Sequence, residues 1–483
     1  MLNPVSRPAG NPLPATGPVA SPPTGEVEFS YNPQDQVVMA PTTTKVKGVQ
    51  AGPSTERAAL SGTRLEPKDG KYVYDPADKN YVAAATLATV AKTVEVMEKA
   101  YGSKIPWAFR SEKIRVYPDA GKDFNAYYSR NAGSLNFFHD TDPKSGEVVF
   151  SGKSGEVVSH EVGHAMLDGV RPDYLGTWGT DPGGFHESFG DIMGMLMALQ
   201  DDTSVEIIAK QTGGDLSKQN SLAHTGEELG AAINNSVGKN VTGGNYVRNA
   251  INNFTWQDPS TLPDRGGPDQ LGSEVHSWSR LWTGAFYDVL KGMVNQNMAD
   301  GMSPAQALKA AGEENLQLYG HLLKDAPRGE FTYQQMANTL LKVDSKDMGG
   351  KNQELLRQVY TDRKILNPSL YASETEASAP RDSNAPPVRS LGVTLSGDDF
   401  GMFSGARVET QVDGSFPLGK DADSQNRLKS NIKRLIAQGR ILYTEPHQKL
   451  TTKDYFDSEG LPYTGVVRWV DGQMTIERVP IVS

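Results

Sequence analysis

Cysteine is absent from all 483 residues. That excludes a disulfide framework, a thiolate metal site and a cysteine nucleophile, so any transition metal has to be held by His, Asp or Glu. A chain without cysteine suits an oxidising exterior and the cytosol alike, so the compartment stays open. Positive charge is also scarce. Lys and Arg number 48 against 58 Asp and Glu, a net charge of −10, and no basic stripe interrupts the balance. This argues against a nucleic-acid partner, whose phosphates demand a concentrated basic surface. No stretch approaches the roughly 18 apolar residues of a membrane span. The opening segment has seven prolines in its first 25 residues and lacks the apolar run of a Sec signal peptide.

Residues 1–65 are rich in Pro, Gly, Ser and Thr with little periodicity, and read as a disordered tail. A second polar, proline-rich stretch, "SETEASAPRDSNAPPVRS", marks a linker at 371–390. Between them, 66–152 mixes one helix, 81–102 ended by Gly102, with strand-like runs at 113–117, 124–129, 134–138 and 147–150. Residues 153–370 carry helical patterns instead, at 154–169, 184–199, 276–296, 304–320, 332–343 and 352–363. Ser303-Pro304 and the Thr332/Gln335 pair punctuate two helix starts. The expected fold class is α+β: a mixed β lobe, then a mainly α lobe, with the helix around residue 160 at their junction. Residues 391–483 read as a small, separate α/β unit. Leu428, Ile432, Leu435 and Ile436 line one helix face there, and 466–479 forms a hairpin turning at Asp471-Gly472.

The chain has only eight histidines, and "VVSHEVGHAMLDG" (157–169) places two of them, His160 and His164, one helical turn apart with Glu161 between. Positions i and i+4 share a helix face, so both imidazoles can reach one ion about 2.0–2.1 Å away. A catalytic zinc needs a third protein ligand and an open position for water, and Glu161 is placed to be the general base. The first glutamate after His164 is Glu187, in "GGFHESFGDIMGMLMAL", with Asp191 four residues on to orient a metal-bound imidazole. His186 competes as a ligand, but it points about 100° away from Glu187 on a helix, and Asp191 shares the Glu187 face. Leu167 and Val170 stand where a metzincin needs Gly and His. Met193, Met195 and Met197 read as core filling.

"HEVGH" followed by "HESFGDI" resembles the thermolysin-like (gluzincin) zinc metallopeptidases, and the resemblance spans residues 70–368. It implies a two-lobed fold, one catalytic Zn²⁺ and hydrolysis of a protein or peptide substrate. "FNAYYS" is similar to the family's edge strand, which implies that Asn125 and Ala126 bind substrate backbone by strand addition. "EVHSWSRLWTGAFYDVL" is similar to its Val-His-x-x-Ser segment, which implies that His276 stabilises the oxyanion; Tyr174 is the implied second donor. Taken alone, these residues also suit a strand-end polar group, a helix-start histidine and a half-buried aromatic. Leu271 stands where the family has an Asp to orient that histidine, leaving Asp269, Glu274 or no residue for the task. Structural calcium is frequent in such proteins, but no ligand cluster for it is assignable from the sequence. The absence of a Gly-x-Met-Glu-Asn stretch favours an endopeptidase over an aminopeptidase. The resemblance favours a secreted or delivered protein. Two rivals remain: a delivered effector of narrow substrate range, and a zinc-binding protein of the same fold without catalysis.

Overall fold

Val27, Phe29 and Tyr31 alternate along Gly25–Tyr31 (β1) and turn inward; Val46 and Val49, on either side of a register shift, are the buried residues of Thr42–Val49 (β2), which pairs antiparallel with β1. The computed structural model describes residues 24–367, 388–414, 421–458, 461–479 and 481–482. Residues 24–65 are therefore folded, which corrects the expected tail; residues 1–23 lie outside the described ones. The composition misleads because β2 spends most of its positions on exposed Thr and Lys, and its few apolar residues gain their burial from a distant partner. That partner is Tyr81–Tyr101 (α1), a helix buried along its first half and on one face thereafter, closed by Gly102 in the left-handed conformation (φ 83°).

Next to it lies a sheet of Ala58–Leu60 (β3), Ile114–Tyr117 (β4), Ala126–Ser129 (β5) and Ser134–Phe137 (β6). β3, β4 and β6 run parallel, and β5 pairs antiparallel with β6, from Ala126 opposite Phe137 to Ser129 opposite Ser134. A ribbon of His139–Thr141 (β7) and Val148–Phe150 (β8) leads into Gly155–Val170 (α2). The helices Thr180–Ala198 (α3), Asp202–Thr212 (α4) and Glu227–Val237 (α5) follow. A short ladder pairs His224–Thr225 (β9) with Arg248–Asn249 (β10). Val275–Ala299 (α6), Pro304–Asp325 (α7), Tyr333–Asp347 (α8) and Gln353–Asp362 (α9) complete the helical part. Ser303 and Thr332 each form the expected capping box. A mixed first part and a helical second part share one core, so the α+β class holds.

Residues 368–387 of the expected linker lie outside the described ones, and 388–390 belong to Val388–Thr394 (β11) rather than to a linker. β11 pairs with Arg407–Asp413 (β12), and the sheet continues through Gln473–Arg478 (β15) and Gly465–Val470 (β14) to Ile441–Leu442 (β13). Asp471 and Gly472, both at positive φ, make the hairpin turn between β14 and β15. Asp421–Ala437 (α10) buries Leu428, Ile432 and Leu435 in a core of this unit's own. The unit is nevertheless not separate. Trp178 of the helical part is a member of its core and donates from Nε1 to Glu409 O at 2.7 Å. Its last strand, Ile481–Val482 (β16), leaves the unit's sheet and pairs antiparallel with β5.

Candidate metal centre

α2 begins at Ser154, whose hydroxyl caps the helix by accepting from Val157 N–H at 3.3 Å, and every residue from Gly155 to Asp168 is buried. A helix buried all round is packed on all sides, and α3 supplies the closest neighbour. The two approach through glycines. A Cβ on Gly163 would meet Gly190 Cα at 3.2 Å, and one on Gly190 would lie 2.5 Å from His160 Nδ1. Only hydrogen at residue 190 leaves room for the His160 ring.

This contact brings the predicted residues together. His160 Nε2 lies 3.4 Å from Glu187 Oε2, and His164 Nε2 lies 3.6 Å from Glu187 Oε1. His160, Glu161 and His164 offer ligand atoms all within 4.8 Å of one another. His164 Nε2, both Glu187 oxygens and Glu161 Oε2 are buried without a hydrogen-bond partner. Four such atoms in one place are costly unless something joins them. Two atoms on one tetrahedral zinc, each about 2.0–2.1 Å from it, lie about 3.3–3.4 Å apart. The observed spacings fit that value, so the donor set suits such an ion. One Glu187 oxygen faces each imidazole, so Glu187 fits the place of a third ligand as well as Glu161 does.

The far side of each imidazole is held. His160 Nδ1 is 3.0 Å from Asp191 Oδ1, as expected. Arg248, on β10, grips the same carboxylate with contacts of 2.8–3.0 Å, and Thr283 Oγ1 donates to it at 3.4 Å. Burial works against ionising Asp191, but Arg248 and His160 outweigh it and hold the carboxyl down to about 2. Burial likewise pulls His160 down, yet its bond to Asp191 and the nearby Glu187 carboxylate prevail and lift it to about 9. Those carboxylates demand a positive charge that a cation supplies as well as a proton does. His186 is behind His164 rather than at the shared centre, with the two Nδ1 atoms 2.9 Å apart. Burial drives His186 down to about 3, so it is neutral and able to accept a hydrogen bond from His164 Nδ1–H. Burial lifts Glu161 to about 8, with His160 opposing and Glu187 adding to the rise.

His276, in the first turn of α6, enters the same group, its Nε2 3.4 Å from Glu187 Oε2. Glu274 holds it: the carboxylate caps α6 by accepting from His276 and Ser277 N–H and lies 2.7 Å from His276 Nδ1. Of the residues left open for this task, Glu274 is therefore the one. Burial disfavours the His276 cation, but Glu187 and Glu274 together raise its pKa above the ordinary value.

Tyr174 is the exception. It is buried between Phe185 and Phe331, and its hydroxyl donates to Pro327 O at 2.7 Å. This corrects the expected oxyanion donor: the spacing from His164 set the place in the chain, but the short helical turn at 174–176 sends the ring into the core. Ala126 opens β5 and Asn125 precedes it, with Asn125 Oδ1 accepting from Ala126 N–H at 2.8 Å. β5 is tied to α2 by Tyr128 Oη donating to Asp168 at 2.8 Å. Sequence reasoning missed Arg248 and Gly190. Arg248 carries no local motif, and the need for glycine at 190 arises only when α2 is laid across α3. No protein-family model matches this chain, and no curated protein sequence matches it either.

Proposed function

We infer that the protein is a zinc-dependent endopeptidase of thermolysin-like, two-lobed architecture. One observation carries this reading: His160, His164 and Glu187 converge with ligand atoms 3.4–3.6 Å apart, those of His164 and Glu187 without a hydrogen-bond partner, beside a buried Glu161. Zn²⁺ held by these three residues supplies a Lewis acid for the scissile carbonyl and lowers the pKa of water. Glu161 takes a proton from the attacking water and delivers it to the leaving amine nitrogen as the C–N bond breaks, giving one carboxylate and one amine product. His276 donates from Nε2 to the oxyanion while Glu274 fixes its Nδ1. Asp191, clamped by Arg248, and His186 keep the two imidazoles aimed at the ion. Asn125 and Ala126, at the start of β5, bind the extended peptide.

The test is hydrolysis of casein by the purified chain with and without a zinc chelator, alongside Glu161→Gln. The reading requires cleavage that the chelator abolishes and zinc restores, and a Glu161→Gln protein that keeps its zinc but loses cleavage by at least a thousandfold. Cleavage at the parent rate by Glu161→Gln would refute it.

A further inference from the structure

The proposed function gives the free edge of β5 to an extended peptide, yet that edge already has an occupant. β16 lies on it in antiparallel register, Ile481 opposite Ser129 and Val482 opposite Tyr128. The strand order is β16-β5-β6-β4-β3, so β16 takes the outer position that an added strand would take. β16 covers Tyr128 and Ser129, the stretch that follows Ala126, so a peptide that begins at Asn125–Ala126 and runs on along β5 cannot be present together with β16.

The unit that carries β16 also spans between the two structural parts that form the centre. On the sheet side, Tyr127 packs against Phe456 (5.5 Å between ring centroids) and joins the small apolar cluster around Val466 and Val479. On the helical side, Gln438 Nε2 donates to Ser273 Oγ at 2.7 Å, directly before Glu274, the residue that holds His276. Asp457 takes Arg265 at 2.6 Å and Arg440 at 2.8 Å, pinning the loop that leads into α6. These anchors keep β16 at high local concentration beside β5. Among the described residues the strand pairs through two, Ile481 and Val482, and each net backbone bond contributes about 1 kcal/mol, so it can be displaced while the unit stays attached.

We propose that β16 is an internal occupant of the peptide-binding edge, and that the unit built on β11 to β15 and α10 is a cap whose strand β16 must leave β5 before an extended polypeptide can bind. This rests on the peptidase reading only in taking the β5 edge as the substrate edge.

The absence of cysteine makes a clean lock available. Opposed residues of an antiparallel pair have Cα atoms about 4.5–5.5 Å apart, within disulfide range, so Ser129→Cys with Ile481→Cys can tie β16 to β5. Binding of a fluorescent casein peptide to the full chain, in a Glu161→Gln background, is measured oxidised and after reduction; Ile481→Pro/Val482→Pro is the permanently open form. Oxidation is expected to weaken peptide binding at least tenfold, reduction to restore it, and the proline form to bind at least as tightly as the reduced one. Equal binding by the oxidised and reduced forms overturns the proposal, as does failure of the proline form to bind. Lock-sensitive binding combined with no hydrolysis by the Glu161-containing chain keeps the cap and refutes the peptidase.

Discussion

The Nδ1 atoms of His164 and His186 face each other at 2.9 Å. Only one can carry the proton of that bond, and the unpartnered Nε2 of His164 decides which. With Nε2 turned to an ion, His164 Nδ1 is protonated and donates, and His186 accepts. His186→Ala is therefore expected to lower zinc affinity roughly 10–100-fold, in the range for partners behind metal ligands, while the fold persists. Competition with a chromogenic chelator measures it; an unchanged affinity would remove His186 from this role.

Gly190→Ala places a methyl where the His160 imidazole stands, 2.5 Å from Nδ1. The ring or the helix has to move. The expected cost is about 1–3 kcal/mol of stability, as for overpacked cores, together with loss of zinc. Thermal unfolding and metal content report the two effects separately, and a variant matching the parent in both would show that α2 and α3 are less tightly apposed.

Tyr174→Phe separates a structural tyrosine from an oxyanion donor. Losing the bond to Pro327 O, a half-buried acceptor that water can reach, is expected to cost about 0.5–1.5 kcal/mol. The turnover number should stay within twofold of the parent. A hundredfold fall in turnover with unchanged stability would return the hydroxyl to the reaction.

Three buried carboxyl groups, Asp35, Glu156 and Glu227, meet away from the metal centre, and Glu227 has both oxygens unpartnered. Burial first, then mutual repulsion, lifts Glu156 to about 8 and Glu227 to about 9 from an ordinary 4.5. Groups with raised folded pKa values contribute stability that is full below the unfolded value and lost as pH rises through the folded one. The melting temperature in the absence of divalent cations should therefore fall between about pH 5 and about pH 9 and level off above that. Glu227→Gln, which cannot ionise, should flatten that fall; a variant that loses as much stability as the parent over the same range would contradict this.

Local chemistry was readable in the sequence, and distant partners were not. His160 and His164 are one turn apart on a single helix, and Glu187 and Asp191 one turn apart on the next, so their grouping follows from helical period alone. Arg248 and Glu274 reach the site through β10 and a helix cap, and their roles depend on where the loops return. β1 and β2 escaped notice because their few apolar residues find burial against residues distant in the chain, α1 and Tyr72 among them. Tyr174 shows the opposite error: a spacing counted from a motif fixes a position in the chain and says nothing about where the side chain points. The pairing of β16 with β5 has no local signature at all, since Ile481 and Val482 suit any strand edge.

The most direct test of the metal centre is the zinc content of the purified, folded chain, set beside that of Glu187→Ala and measured by elemental analysis after equilibration with a slight excess of zinc. The account predicts one zinc per chain, and little or none in the variant at the same free zinc concentration. A folded parent that takes up no zinc, or a Glu187→Ala chain that holds it as tightly as the parent, would contradict the assignment of His160, His164 and Glu187 as its ligands.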